Sequence, residues 1–218
     1  MVTTHDHHAH AADLEAFLDL VNTIEYSDGM PDEHLPSAEE AVAFFAGRGL
    51  AHADALAAVV ADPRAAERRL ARLRQVRAAA REVWDAVVER RDPERSALER
   101  VNDTLRHRPL IELTPGSDGC GVGHRHVGDP WDEAVARTIE PFVESVARGE
   151  SSRYRICAND GCRWVFYDES RAGRRRWCDM STCGNRAKAA RHRARRKAGF
   201  AAGTPADRPP RGAPTLPT

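Results

Sequence analysis

The sequence has no uninterrupted apolar run of about 18 residues, so no segment is expected to cross a membrane. Its beginning is polar and lacks the charged and then apolar pattern of a secretory signal. Aromatic residues make up only 6% of the chain, and lysine occurs only as Lys188 and Lys197. The missing membrane span and signal predict a cytoplasmic protein. Because aromatic residues are few and alanine supplies much of the apolar content, we expect a thin and mainly helical core.

Residue patterns typical of an enzyme are also missing. We find no Ser/His/Asp arrangement, no glycine-rich loop suited to phosphate and no pair of carboxylates in a plausible site. His124 and His126 alternate in a glycine-rich stretch and could form a second metal site, although histidines in this setting are usually ordinary loop residues. The sequence therefore does not predict an enzyme.

The formal net charge of zero conceals an uneven distribution along the chain. Residues 151–200 contain 14 Lys or Arg against 4 Asp or Glu, whereas the first 150 residues contain 17 against 28. An acidic part joined to a basic part indicates a polyanionic partner that the basic part alone recognises.

Apolar residues at helical spacing predict that residues 11–149 form one helical domain. A first helix is expected from residue 13, and a second is expected after Ser37, which would form a capping box with Glu40. Three Asp-Pro pairs predict further helix starts, because proline loses no needed hydrogen bond at the first helical position. These pairs are Asp62-Pro63, Asp92-Pro93 and Asp129-Pro130. The glycine-rich stretch between the last two helices favours a small hairpin.

The ends of the chain have no clear structural pattern. Residues 1–10 contain four histidines, which could bind a metal, but an unpatterned end is more often disordered. The segment 203–218 is rich in proline, and we expect it to be disordered as well.

Four of the five cysteines form two close pairs in the basic part of the chain, within residues 150–199. The pattern is C-x4-C, fifteen intervening residues and C-x4-C, formed by Cys157, Cys162, Cys178 and Cys183. Two such pairs suit one tetrahedral Zn²⁺, and four protein ligands leave no open position for water, so the ion would be structural. Cys120 stands alone and is interpreted as a loop thiol. His192 is interpreted as an exposed helix residue and not as a ligand.

Two other interpretations of these cysteines are small buried hydrophobic residues or two disulfides. A module of about fifty residues with so few apolar side chains has too little core to fold without a metal. Alternating residues between Tyr154 and Asp168 predict two short strands around a turn, and Asp168 is expected to cap that turn or to pair with an arginine.

Basic residues surround the second cysteine pair. The loop before it contains Arg171, Arg174, Arg175 and Arg176. A helix predicted after it contains Arg186, Lys188, Arg191, Arg193, Arg195 and Arg196. So many like charges destabilise an isolated helix, and a phosphate backbone would favour it. The alternative is a solvated polar surface. Asn185 and Arg186, at the start of the helix, are the candidates for contacts with bases.

The segment CRWVFYDESRAGRRRWCDMSTCGNRAKAARHRAR resembles the zinc-finger domain of the CGNR family, in which the C-G-N-R motif corresponds to Cys183 and the three residues after it. The segment AFLDLVNTIEYSDGMPDEHLPSAEEAVAFF resembles the helical ABATE domain, most clearly at Leu-Val-Asn-Thr, residues 20–23. The resemblance implies a bacterial, stress-linked transcription regulator that binds DNA and holds zinc on the four cysteines.

Asn22 and Thr23 are polar residues in an otherwise apolar helix. They could line an effector pocket, or they could form buried hydrogen bonds that fix the packing of the helix.

The predicted fold is mainly α, with an N-terminal α-helical domain followed by a small zinc-binding module of a β-hairpin and a helix. The predicted function is zinc-dependent binding of double-stranded DNA, with the acidic helical domain serving to sense a signal or to form a homodimer. One alternative is RNA binding, with Trp164, Tyr167 and Trp177 stacking on bases. Another is a protein-interaction module that is autoinhibited by its own acidic domain.

Overall fold

A computed structural model describes residues 7–27, 30–116, 119–126 and 128–202 of the chain. The fold is mainly helical, as predicted. Its helices are α1 (His7–Val21), α2 (Ala38–Gly47), α3 (Ala53–Val59), α4 (Pro63–Glu89), α5 (Arg95–Leu105), α6 (Pro130–Ala147) and α7 (Asn185–Ala202). Its strands are β1 (Ile24–Ser27), β2 (Met30–Glu33), β3 (Leu110–Thr114), β4 (Gly121–Arg125), β5 (Tyr154–Ile156) and β6 (Val165–Tyr167). No helix in the described ranges is both long enough and apolar enough to cross a membrane.

Three of the helix starts that were predicted from capping residues are confirmed. The Asp62 carboxylate accepts a hydrogen bond from the backbone N–H of Ala65 at 2.7 Å, and Pro63 occupies the first turn of α4. Asp129 accepts from the backbone N–H of Trp131 at 2.9 Å at the start of α6. Ser37 caps α2 in the same way. These side chains satisfy backbone donors that have no partner within the helix.

The predicted start of α5 at Asp92-Pro93 is wrong, because the helix begins at Arg95. Arg90 ends α4 in a left-handed conformation with a φ of 57°, which turns the chain away from the helix axis. The backbone N–H of Glu94 then donates to the Glu82 carboxylate at 3.2 Å. The Asp-Pro pair therefore lies in the connection between α4 and α5.

The N-terminal helix begins earlier than predicted. The structure places residues 7–10, which were expected to be disordered, in α1. The expectation of disorder at residues 1–6 and 203–218 falls outside the described residues.

The small strands form antiparallel hairpins. β3 pairs with β4 in the glycine-rich stretch, as predicted, with Leu110 opposite Arg125. β1 pairs with β2, with Ile24 opposite Glu33, and this hairpin was not predicted. The short helix α3 was not predicted either.

The main hydrophobic core joins the helices to the last hairpin. Phe17 of α1 stacks on Phe142 of α6, with ring centroids 4.4 Å apart, and Trp84 of α4 stacks on Tyr154 of β5 at 4.1 Å. Each stacked pair contributes about 1 kcal/mol beyond the area that it buries. Val165 of β6 is also fully buried in this core. The helices therefore hold the hairpin that carries the first two cysteines.

The chain divides into two compact units, Met1–Cys178 and Asp179–Thr218. The first unit contains the helices α1 to α6 and all three hairpins, and the second contains α7.

Candidate metal centre and basic surfaces

The first cysteine pair lies at the turn of the β5–β6 hairpin. The backbone N–H of Cys157 donates to the carbonyl oxygen of Trp164 at 2.8 Å, which closes the hairpin. The N–H of Cys162 donates to the carbonyl oxygen of Asn159 at 2.8 Å, and Arg163 leaves the turn in a left-handed conformation with a φ of 53°. The four intervening residues thus form a compact turn that places both thiols on the same side of the hairpin end.

A second backbone contact brings Cys178 towards this turn. The N–H of Ala158 donates to the carbonyl oxygen of Arg176 at 2.8 Å, so the chain just before Cys178 lies against the residue that follows Cys157. The Sγ atoms of Cys162 and Cys178 are 3.7 Å apart. The Sγ–Sγ edge of a tetrahedral zinc site is about 3.8 Å, as follows from a Zn–S bond of about 2.3 Å.

Cys183 lies in a single π-helical turn, Met180–Gly184, that leads directly into α7. Asp179 caps this turn, because its carboxylate accepts from the backbone N–H of Thr182 at 2.8 Å. A Cβ at Gly184 would lie 2.8 Å from the Met180 sulfur, so a side chain there would require Met180 to move. The turn therefore depends on local capping and on a small residue directly after the cysteine.

The sulfur atoms of Cys157, Cys162, Cys178 and Cys183, here called the thiol cluster, all lie within 4.8 Å of one another. All four are free thiols, which argues against the disulfide interpretation. The distances and the donor set fit a tetrahedral Zn²⁺ with four thiolate ligands. The remaining cysteine, Cys120, is exposed in its loop, as expected.

Burial, together with the neighbouring thiols of Cys157 and Cys162, raises the pKa of Cys178 above its ordinary value. Clustered sulfur atoms resist deprotonation because each added negative charge lies close to the others. A divalent cation removes that penalty, because it binds thiolates and not thiols. The cluster is therefore a chemically reasonable site for a divalent cation.

No other group of three or more His, Cys, Asp or Glu side chains in the described ranges is arranged to hold a metal ion. The alternative of a second metal site at His124 and His126 is therefore not supported. The ring Nδ1 of His126 instead lies 2.5 Å from the carboxylate of Glu133 on α6. His192 is exposed on α7 and lies outside the thiol cluster, as expected.

Asp168 organises the loop between the two cysteine pairs, and its predicted structural role is confirmed. Its side chain is fully buried and accepts hydrogen bonds from the Ser170 hydroxyl at 2.6 Å and from the backbone N–H of Arg175 at 2.8 Å. Burial alone would raise the pKa of Asp168, but these hydrogen bonds and the nearby Arg155 guanidinium hold it below its ordinary value. The carboxylate is therefore ionised near neutral pH and fixes the path of the chain towards Cys178.

We expect Asp168→Asn to destabilise the fold by about 2 kcal/mol at pH 7, because an amide nitrogen would face the N–H of Arg175 where an oxygen now accepts. Since the folded-state pKa is lowered, the carboxylate stabilises the fold above the unfolded-state value of about 3.9, and this contribution is lost at lower pH. The stability difference between wild type and variant, measured by urea denaturation from pH 7 to pH 3, should therefore shrink on acidification. The exposed neighbour Glu169→Gln is the control. A difference that stays constant with pH would contradict the assignment.

Asn22 connects α1 to the hairpin that carries the first cysteine pair. Its side-chain nitrogen donates to the carbonyl oxygen of Val165 at 2.9 Å, and its side-chain oxygen accepts from the N–H of the same residue at 2.9 Å. Trp84 adds a third link, because its ring N–H donates to the carbonyl oxygen of Arg155 at 3.2 Å. Of the two interpretations of Asn22, the buried hydrogen bonds are confirmed. A similar role holds for Thr23, whose hydroxyl accepts from Arg77 at 2.6 Å.

The basic loop, residues 171–176, contains arginines of two kinds. Arg171, Arg174 and Arg176 are exposed, and the Arg176 guanidinium lies 5.2 Å from the centre of the Trp177 ring. Arg175 is half-buried instead. Its Nε donates to the carbonyl oxygen of Trp177 at 2.9 Å, and its guanidinium lies 4.8 Å from the centre of the Phe166 ring. Arg175 therefore has a packing role in addition to the interface role predicted for it.

The basic helix α7 contains seven Lys or Arg and no Asp or Glu in its 18 residues. The side chains at all six basic positions predicted as contacts on this helix are exposed: Arg186, Lys188, Arg191, Arg193, Arg195 and Arg196. Two small residues on this helix, Ala190 and Ala194, are exposed as well. Asn185 is exposed too, and its side-chain nitrogen donates to the carbonyl oxygen of Ser181 at 2.9 Å.

Comparison with family models agrees with this geometry. Residues 14–149 match the model of the ABATE family, described as "Putative stress-induced transcription regulator", and the match covers more than half of the chain. The chain belongs to the ABATE family. Residues 153–196 match the CGNR zinc finger, so both resemblances found in the sequence are confirmed. A search of curated proteins gave no match.

The boundary between the ABATE and CGNR regions differs from the boundary between the compact units. The family regions meet between residues 149 and 153, whereas the units meet after Cys178. The difference arises because β5 and β6 belong to the CGNR region by sequence but to the helical core by packing. The Asn22 hydrogen bonds therefore join an ABATE residue to the CGNR hairpin.

Proposed function

We propose that this ABATE-family protein is a zinc-dependent regulator that binds double-stranded DNA through its CGNR region. The observation that supports it most is the thiol cluster, whose last ligand, Cys183, leads directly into the exposed basic helix α7. A closed set of four cysteines suits a structural ion and leaves no coordination position for catalysis. The family matches favour a regulator over an enzyme.

One Zn²⁺ would supply folding free energy to a segment with little core of its own. Structural zinc sites contribute about 10–16 kcal/mol in small zinc-binding peptides at pH 7. The described side chains of the second unit are mostly exposed, so packing alone provides little stability there. The thiolates would fix the start of α7, and the position of its arginines would follow from that.

The arginines would bind DNA mainly through phosphates. Guanidinium groups form paired hydrogen bonds with phosphate oxygens, and neutralising phosphates releases counterions. Arg186 and Asn185 lie at the helix start, where side chains of DNA-reading helices commonly reach base edges. Asn185 keeps its side-chain oxygen available for such a contact, since its described hydrogen bond uses the nitrogen.

Salt dependence tests the basic helix directly. We expect the triple variant Arg193→Gln, Arg195→Gln, Arg196→Gln to reduce the log–log salt slope of duplex binding by about 2.7, which is about 0.9 for each lost phosphate contact. The slope is measured by fluorescence anisotropy of a labelled duplex between low and physiological salt. The matched control replaces three exposed arginines of the ABATE region, Arg64, Arg95 and Arg106, by glutamine. It removes the same charge and should leave the slope nearly unchanged.

Two results would argue for the other functions. A wild-type slope near zero, or equal slopes for the two triple variants, would exclude a phosphate-binding role for α7. Preferential binding of single-stranded RNA in competition with the duplex would favour the RNA alternative.

The autoinhibited module is best tested on the full chain, because removing residues 1–149 would expose Tyr154 and Val165, which are buried against the helices. A homodimer formed through the helical domain stays a prediction.

A further inference from the structure

The ABATE region contains a cavity of about 860 Å³ that the sequence did not predict. Its walls are the connection from α2 to α3, the β3–β4 hairpin and the first half of α6. The volume falls within the range of about 300–1,000 Å³ that is typical of small-molecule sites. The cavity lies entirely within the first compact unit.

The lining of the cavity is largely apolar. Its apolar residues include Ala46, Leu50, Leu110 and Ile111. Two of them, Leu110 and Ile111 of β3, are large apolar side chains that remain 46% and 73% exposed. An apolar ligand in the cavity would cover part of this surface and gain free energy from its burial.

The charged residues of the cavity leave one arginine without a carboxylate partner. Glu133 is 5% exposed and is paired with His126, and the Glu140 carboxylate lies 3.2 Å from the Arg108 guanidinium. Arg137 lies one turn from Glu133 on α6, yet it forms no ion pair with any acidic side chain in the described ranges. Its described hydrogen bond goes from Nη1 to the backbone carbonyl oxygen of Leu50.

A half-buried guanidinium without a carboxylate partner favours an anionic ligand. Arginine presents several donors in one plane, and one bond to Leu50 leaves the others available for a carboxylate. We infer that the cavity binds a small organic anion, with its carboxylate on Arg137 and its apolar body against Ala46, Leu50 and Ile111. The inference gives the chemical class of the signal that the proposed regulator would sense. It rests on the proposed function only for this biological role.

The same helix connects the cavity to the hairpin of the metal site. Glu133, Arg137 and Glu140 lie in the first part of α6, and Phe142 and Ser145 follow further along the helix. Phe142 lies 5.7 Å from the Tyr154 ring of β5, and the Ser145 hydroxyl is hydrogen-bonded to the Tyr154 hydroxyl. A ligand that holds Arg137 therefore acts on an element that packs directly against the zinc-binding hairpin. This contact connects the cavity physically with the hairpin that carries the first cysteine pair.

The inference is tested with 1-naphthoate and its neutral analogue 1-naphthamide, titrated by calorimetry into the zinc-loaded full-length protein. We expect 1-naphthoate to bind at least about tenfold more tightly than the amide, because only the carboxylate forms charge-assisted hydrogen bonds with Arg137. Arg137→Gln should remove that preference and leave the weak binding of the amide unchanged. Equal affinities for the two compounds in the wild type would overturn the assignment of an anion site.

A second variant keeps the test independent of the Arg137–Leu50 hydrogen bond. Ala46→Phe fills the cavity without removing a charge, and it should weaken binding of both compounds about tenfold or more. Absence of binding by either compound, or unchanged binding to Ala46→Phe, would overturn the site itself. Both variants are first compared with wild type in zinc content and thermal unfolding.

Duplex DNA affinity measured with and without 1-naphthoate separates this inference from the proposed function. Naphthoate binding that depends on Arg137, in a protein that does not bind DNA, supports the cavity and rejects the regulator. DNA binding in a protein that does not bind naphthoate supports the regulator and rejects the cavity.

Discussion

Cys178→Ser should abolish stoichiometric zinc binding and reduce duplex DNA affinity at least about a hundredfold. Serine shortens the ligand and replaces a thiolate with a hydroxyl that does not ionise near neutral pH, so three sulfur ligands remain. The loss of a structural ion worth about 10 kcal/mol leaves the second unit without its main source of order. Zinc is measured by plasma mass spectrometry of the dialysed protein, and DNA affinity by fluorescence anisotropy.

The chain provides its own matched control for this substitution. Cys120→Ser makes the same chemical change at an exposed thiol outside the cluster, and it should leave zinc content and DNA affinity unchanged. Wild-type protein without bound zinc, or a Cys178→Ser protein that still binds DNA with wild-type affinity, would contradict the proposed role of the metal. Loss of zinc with unchanged DNA affinity would place the DNA contacts outside the region that the metal orders.

The thiol cluster could be predicted from the sequence because its chemistry is local. Each C-x4-C pair needs only one turn of chain, and the Asp62 and Asp129 caps likewise depend on residues within three positions of each other. The wrong start of α5 shows the limit of such local rules. The Asp92-Pro93 pattern suits a helix start, but a left-handed Arg90 and the contact between Glu94 and Glu82 shift the start to Arg95.

The cavity could not be predicted because its residues come together only in the folded chain. Ala46 and Arg137 are far apart in sequence, and nothing in their neighbourhoods indicates a shared site. The sequence did contain one indication of the site. Glu133 and Arg137 carry opposite charges at the helical spacing of four, and His126 precedes them. Such a pattern is usually a solvated helix face, and the buried Glu133 becomes apparent only when His126, which follows β4, contacts it on α6.

The packing of the CGNR hairpin into the helical core could not be predicted for a similar reason. The change in charge along the chain falls between the regions that match the ABATE and CGNR models, but it carries no information about which hydrophobic side chains share a core. Tyr154 and Val165 follow the acidic part in sequence and are nevertheless buried with Trp84. The contacts of Tyr154 with Trp84 and of Val165 with Asn22 join residues 70 and 143 positions apart, which a local pattern does not reveal.

Asn22→Ala should destabilise the protein by about 4 kcal/mol, since it removes two hydrogen bonds and leaves the buried N–H and C=O of Val165 without those partners. For a chain of this size the expected decrease in Tm is about 12 °C. Because Val165 lies in the hairpin between Cys162 and Cys178, zinc affinity should fall as well. Thermal unfolding and competition with a zinc chelator measure the two effects.

Asn102→Ala is the control, because it makes the same substitution at an exposed position of α5 and should change stability by no more than about 0.5 kcal/mol. A purely local role for Asn22 would lower Tm and leave zinc affinity unchanged. A fall in both would mean that the Asn of the Leu-Val-Asn-Thr motif, residues 20–23, holds the zinc-binding hairpin in place. One pair of hydrogen bonds would then connect the ABATE region physically with the CGNR hairpin.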